Sequence, residues 1–419
     1  MATGVSGQIP GSVSSALAPL RYRTFRSIWL ANLFSNVGGS IQAIAAAWLM
    51  TELTQSHMMI AMVQASVATG IMGFGMIAGA IADNCDRRRV MLTAQMGMLT
   101  TTSLLALLAF SDMLTPLRLL ALTLLVGIGT ALNSPAWRAA LRGEVGLKDL
   151  PQAIALNTVA FNVARTAGPA IGGLLIAFSS VALAFAINAA SYLGMVAVLL
   201  RWKRRQDAMI RTPLFSAIGS GLRRCLSDQP IRRVMARVML FGFGATSYSA
   251  LAPVIVRHHL QGDEVEFGML LGLFAIGAVA MALFVGGLRK RFGSETVVMV
   301  GTLGFAAALA LIARADTIWE ALPAVFIGGS AWVLVFASLN VTMQLFAPSE
   351  MIGRSLSIYQ TATFAALAAG SWFWGALSDW LGLPAALTVA AAYLVVTLVI
   401  GQFFMRLPTS EELTLSAKR

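Results

Sequence analysis

One arginine of this chain, Arg165, sits in the middle of an apolar run, 151–178. The start of that run reads as Asp149 for N-cap, Pro151 in the first turn and Gln152 closing a capping box. At the depth this implies, a charge costs at least ~2.5–3.5 kcal/mol on membrane-insertion scales, so it must face a polar cavity or a partner. Helical spacing sets Thr158, Asn162, Arg165, Pro169 and Gly172 on one stripe. The chemistry open to such a stripe is recognition, with the guanidinium binding an anionic or catecholic group or joining a coupling network. A tie to backbone carbonyls or asparagines of a neighbouring helix explains the same residue equally well. Tyr248 and Trp332 lie at mid-depth of later runs, outside the usual interfacial belt, where a ring could stack on a ring-bearing ligand or simply pack.

Titratable groups are few at that depth. None of the 18 acids falls deep in a run; Glu52 and Asp379 stand at run ends and could exchange a proton only if a vestibule reaches them. His258 and His259, beside Asp263, Glu264 and Glu266, invite a metal reading. Adjacent helical residues point ~100° apart, however, so a wet loop is the better expectation, with no metal and no cofactor. No zinc-protease motif, phosphate-cradling loop with lysine or haem attachment sequence is found, and no nucleophile–base cluster that would make an enzyme.

These residues are positioned by twelve apolar runs, at roughly 27–50, 57–81, 90–110, 117–139, 151–178, 181–200, 234–256, 267–288, 296–313, 321–346, 354–377 and 384–404. Each approaches the ~20 residues a helix needs to cross a bilayer. With 58% hydrophobic and 11% charged residues, a soluble fold is excluded. Placing the N-terminus in the cytoplasm puts 26 of the 30 basic residues inside and only Arg118, Arg257 and Arg314 outside. The net charge of +12 is therefore spread over short inside segments facing lipid headgroups, and nucleic acid is not the expected partner. Cys85 and Cys225 both fall in those inside segments, where no disulfide is expected.

The longest polar interval between runs, about 201–233, divides the chain six and six. The expected fold is an all-α membrane protein with twelve transmembrane helices in two pseudo-symmetric six-helix bundles. The parts are a disordered cytoplasmic tail 1–25, a bundle 26–203, a cytoplasmic linker 204–232, a bundle 233–406 and a tail 407–419. Leu214–Leu226 could lie along the membrane surface as an amphipathic helix. The halves echo each other. At an offset of 207, Gly79–Arg87 faces Gly286–Gly293; at 202, Gly168–Gly173 faces Gly370–Gly375. Parallel repeats of this kind suit two halves that rock about a central site. The loop Gly79–Arg89 reads as a gate, with Asp83 able to sit at the positive N-terminus of span eleven near Ser349–Arg354 and Arg87 and Arg88 also setting topology.

The loop Gly79–Arg89 resembles the loop between spans two and three of the major facilitator superfamily, with Asp86 at a usual glycine position. Within that superfamily the chain is most similar to exporters of the enterobactin-exporter-like, transmembrane secretion effector branch. Trp48–Thr54, Asn133–Trp137, Leu150–Asn157 and Phe161–Gly173 carry that likeness. The resemblance implies the major facilitator fold and a cavity lined by the first span of each three-helix unit, which makes Asn32 and Asn36 substrate-facing. It also implies that Gly168, Pro169, Gly172 and Gly173 form the antiporter signature of span five, although close packing explains the same glycines. The chain departs from the pattern in lacking an arginine inside span four and in having Lys290 where a second-half aspartate could stand.

The function implied is secondary active export of a small organic molecule, siderophore-like or drug-like, across the bacterial inner membrane by alternating access, acting as a monomer. Proton antiport is expected from the resemblance alone. Uptake by the same fold is the alternative, and a non-transporting sensor or scaffold is the third reading. Impermeant labels should reach the segment 201–233 only from the cytoplasmic face; labelling from outside would overturn the topology.

Overall fold

A computed structural model describes residues 17–202, 223, 225, 227–347 and 352–407. The side chains of Asp83, Asn162 and Arg165 lie outside the described residues, as do Ser349 and most of Leu214–Leu226. The described residues form eleven long helices: α1 (Arg23–Leu53), α2 (His57–Asn84), α3 (Arg87–Phe110), α4 (Pro116–Glu144), α5 (Leu150–Phe178), α6 (Val181–Arg201), α7 (Gln229–Val254), α8 (Glu264–Ile312), α9 (Ile318–Phe346), α10 (Ile352–Leu381) and α11 (Leu383–Phe404). At 49 residues α8 is long enough to cross a bilayer twice, and it turns at Gly293, whose φ of 81° is outside the helical region. Its legs, 264–292 and 294–312, bring the total to twelve crossings.

Local chemistry sets most helix starts. Ser56, Asp86, Thr115, Ser180, Asp228 and Asp263 each accept from a backbone N–H of the first turn, and Asp263 forms a full capping box with Glu266. Asp149 is a correction. It does not cap α5, because its carboxylate is taken by the Arg21 guanidinium and the Tyr22 hydroxyl (2.9 Å), which strap the N-terminal turn Ala18–Arg21 across the α4–α5 loop. That turn and α1 also occupy the end of the segment expected as a disordered tail, 1–25, and α7 begins at Gln229, inside the expected linker.

Each bundle is held by polar ties in its own interior. In the first, the Gln42 side-chain oxygen accepts from the Thr102 hydroxyl (2.9 Å) and from the Asn188 amide, all three buried, joining α1, α3 and α6. At the end where the basic residues gather, the basic end, Arg88 donates to the carbonyls of Leu199 and Leu200 (2.7 Å each), closing α3 onto the last turn of α6. The second bundle does the same job with the opposite charge. Glu295, 207 residues after Arg88, accepts from the Leu407 N–H (2.8 Å) and from the buried Arg237 (3.1 Å), whose guanidinium also donates to the Met405 carbonyl. The repeat is thus preserved as a contact while the charges are exchanged.

The repeat is clearest in glycine packing. Gly168 of α5 lies against Ser40 of α1, and its counterpart Gly370 of α10 lies against Thr246 of α7. One turn further, α5 crosses α8 of the other half: a Cβ on Gly173 would meet the Gly268 Cα at 2.6 Å and the Glu264 carbonyl at 2.9 Å. The equivalent crossing sets Gly375 of α10 on α2, where an added Cβ would meet the Ala61 Cβ and the Met58 Cα at 2.8 Å each. Among the described residues no atom lies within 4 Å of a Cβ built on Gly79, and the tight glycine of α2 is Gly70, facing the α4 backbone. Gly173→Val should therefore insert but fail to bring the halves together, lowering transport by at least about tenfold, whereas Gly79→Ala should stay near wild type; vesicle transport normalised to membrane content checks both.

Candidate functional site

The halves meet at the end opposite the basic residues, here the far end, and part toward the basic end. Three stripes record this. On α1, helical phase aligns Leu30, Phe34, Val37, Ile41, Ile44 and Trp48. Trp48 is wholly buried and stacks on Phe267 of the other half at 5.3 Å, whereas Phe34 is 64% exposed. On α8, Gly268 and Gly272 are buried against α5, yet Val279 and Leu283 on the same face are 39% and 78% exposed. The partner face of α5 runs from buried Gly173 to Val159, 54% exposed. Toward the basic end the buried residues of α5, among those described, are a stripe of alanines, Ala153, Ala160 and Ala164. On the other side of the seam α2 and α10 stay close as far as Gly75 and Thr361, 3.6 Å from an added Cβ. The result is a cleft between the bundles, closed at the far end and open at the basic end.

Polar contacts between the halves lock the closed end. Asp379 at the end of α10 accepts from the backbone N–H groups of His57 (2.6 Å) and Met58 (3.1 Å) and from the Ser56 hydroxyl (2.8 Å). It thereby satisfies amides of the first turn of α2 that have no partner within that helix and complements its positive end. The His57 ring lies 2.8 Å from the Ser378 hydroxyl and faces His258 at 3.3 Å. Trp48 donates to Glu264 at 3.1 Å, with the Arg257 guanidinium over its ring at 5.2 Å. Thr51, Glu52, Gln55, Arg257, His258 and Gln261 enclose a water-accessible vestibule of about 590 Å³ above these contacts.

The residues singled out by sequence fall in different places. Backbone phase sets positions 158, 162 and 165 within ~40° of Pro169, whose carbonyl abuts Gly268. That face of α5 borders the seam; Thr158 on it is exposed, and the side chains of Asn162 and Arg165 lie outside the described residues. Asn32 is buried and donates to Asn157 at 3.5 Å, which also accepts from Trp137 at 2.8 Å, so it takes part in an α1–α5–α4 tie. Asn36, one turn on, is half-buried. Tyr248 is buried and stacks on Phe274 at 4.8 Å, its hydroxyl without a hydrogen bond. Trp332 is half-buried in an aromatic cluster with Phe241, Phe274, Phe305 and Phe336. Gly168, Pro169, Gly172 and Gly173 line the helix crossings, while Gly79, Arg87 and Arg88 stand at the basic end, Arg88 tied within its own bundle.

Glu52 and Asp379 both reach the closed end, Glu52 on the vestibule and Asp379 in the lock. His258 and His259 stand on a helical turn and not in a loop, with His258 on the watery vestibule. They end a π-helical turn, Ile255–His259, that carries the His258 ring across to the other half and leaves the His259 Nε2 buried. Sequence offered no signal for His57, whose role depends on a partner some 200 residues away. Cys85 and Cys225 are free thiols, and burial pushes the Cys225 thiol above its ordinary range.

Comparison with known proteins agrees with this architecture. The transmembrane secretion effector family matches residues 14–419. The chain is 24% identical over 404 residues to the multidrug efflux pump Tap of Mycolicibacterium fortuitum, covering 93% of this chain and 97% of that one. It is 24% identical over 397 residues to the enterobactin exporter EntS of Salmonella typhimurium, covering 90% and 92%. Among solved structures, the nucleoside transporter NupG superposes with a TM-score of 0.71 at 14% identity, over 90% of this chain and 98% of its own. The fold is thus the major facilitator fold.

In a variant lacking Cys85, cysteines at Val159 and Leu283 should react with a water-soluble maleimide more than about tenfold faster than one at Ala61. Equal rates in the purified protein would mean that the cleft is not open at the basic end.

Proposed function

For this chain, which belongs to the transmembrane secretion effector family and spans the membrane many times, we propose secondary active export of a small organic molecule across the bacterial inner membrane. The observation that carries the reading is the wedge-shaped seam between the bundles, tight at Gly173–Gly268 and Gly375–Ala61 and open beside Phe34, Val159 and Leu283. With both termini in the cytoplasm, as the charge distribution demands, the open end faces inward and can load cargo from the cell. Rocking of the bundles about the glycine crossings then exposes the same walls to the other side.

The cleft sets the cargo's chemistry. Its described walls are mostly apolar, with Leu30 and Phe34 on α1, Val159 on α5 and Val279 and Leu283 on α8, and Thr158 of α5 adds a hydroxyl. The α5 face that borders it carries positions Asn162 and Arg165. A largely apolar or ring-bearing molecule with an anionic or catecholic group matches that combination, in which apolar contact supplies affinity and a few polar groups fix orientation. Siderophore-like and drug-like molecules both qualify, in keeping with the relatives named Tap and EntS. The nucleoside transporter among the structural neighbours keeps uptake as the second reading.

The test is transport in inside-out vesicles from a strain stripped of other exporters, screened with siderophores and antibiotics. Export predicts accumulation inside such vesicles; accumulation only in right-side-out vesicles would establish uptake. Arg165→Ala should insert normally and lower transport of anionic cargo at least about tenfold, since a hydrogen bond to a charged group contributes ~1.5–3 kcal/mol. Wild-type rates for every substrate would remove Arg165 from the site.

A further inference from the structure

We propose that the closed far end is a proton-operated latch, which opens when the His57–His258 imidazole pair takes up one proton. The inference rests on the alternating-access reading above and concerns what releases the outer closure.

Two ring nitrogens, the Nε2 of His57 and the Nδ1 of His258, face each other across the seam at 3.3 Å. At that separation one nitrogen donates and the other accepts, so only one proton fits between them. Were both rings imidazolium, two N–H groups would point at each other and two like charges would stand with ring centres 5.4 Å apart. The closed latch therefore holds at most one of the two extra protons that the rings can take. Once the halves part, each ring faces water alone and is free to take up a proton of its own. Opening is thus linked to the uptake of one proton.

The surrounding charges leave that count unchanged. Asp379 on α10 lies 4.0 Å from the His57 Nδ1, and its carboxylate is already committed to the first turn of α2, so it can stabilise one charge on His57. Arg257, next in sequence to His258, opposes a charge there and is drawn 3.9 Å from Glu264 of α8. Glu52 at the end of α1 lines the vestibule with His258, as do the uncharged Thr51, Gln55 and Gln261, and the Ser378 hydroxyl lies against the His57 ring. The vestibule brings water to His258, while the His57 side chain is 19% exposed, so protons from the far side reach both rings without passing through the cleft.

The sign follows from linkage. The closed state binds fewer protons, so closure is favoured above the imidazole range and opening as pH falls through it, by up to about tenfold in the open-to-closed ratio per pH unit. Asp379, committed to the first turn of α2, serves as the clasp, and the imidazole pair across the seam is the sensor.

The experiment is a distance measurement on the full-length protein in lipid nanodiscs, with spin labels on cysteines at Thr115 and Asp316, exposed loop positions of the two halves at the far end, in a background lacking Cys85 and Cys225. Between about pH 7.5 and pH 5.5 the long-distance population of the wild type should grow severalfold. The double variant His57→Gln, His258→Gln should lose that growth. Asp379→Asn, which keeps the shape but weakens the clasp, should be more open at every pH and still respond across the imidazole range. A wild-type population that ignores pH, a response that survives in the histidine double variant, or one abolished by Asp379→Asn would each overturn the latch. Because distances are read without substrate, these outcomes stand apart from whether export itself is observed.

Discussion

Backbone-to-backbone approach at two equivalent crossings governs this molecule. Gly173 against Gly268, and Gly375 against Ala61, let helices of opposite bundles touch at distances that a larger side chain would forbid. Such contacts suit a seam in lipid, where no hydrophobic effect presses helices together and dispersion at short range must hold them. They are also reversible: no covalent bond and no buried ion pair need break when they separate. Around these crossings one apolar cluster joins the bundles, from Ile41 and Trp48 to Phe267 and Trp374, and continues through the second bundle to Ile231 and Leu407. A separate cluster of Phe25, Ile28, Trp137 and Trp202 keeps the first bundle intact at the basic end.

The polar interior is divided accordingly. Costly buried groups are satisfied inside one bundle: Gln42 with Thr102 and Asn188, Arg237 with Glu295, Arg88 with the end of α6. Each bundle can then move as a body without stranding a charge. The contacts that cross the seam, by contrast, lie next to water. Asp379, His57 and Glu264 can each exchange a protein partner for solvent when the halves part, so these polar contacts contribute little more than the difference between two sets of hydrogen bonds. That near-balance is what a two-state device requires.

Much of the plan was legible in the chain. Run lengths gave the crossings, and the faint offsets of 207 and 202 correspond to real equivalences, since Gly168–Ser40 recurs as Gly370–Thr246 and the two inter-bundle crossings pair residue for residue. The roles of individual residues were less legible. A glycine followed by a basic turn suggested a tight approach at Gly79, but the tight glycine is Gly70, nine residues earlier. Asp149 reads as a cap until Arg21 and Tyr22 are brought to it from 128 and 127 residues away. Asn32 and Tyr248 share the chemistry of ligand-facing groups, yet one ties helices and the other stacks within a bundle.

What the sequence determined by itself was what local composition sets: the number and length of the apolar helices and the end at which the basic residues collect. These depend on a window of some twenty residues meeting lipid or water, which needs no knowledge of neighbours. Tertiary structure alone decided which face of each helix meets the seam and which partner a polar group finds, as with His57 and His258. A helix of small and apolar residues is nearly the same on every side in lipid, so its rotation is fixed by what packs against it and not by its own pattern.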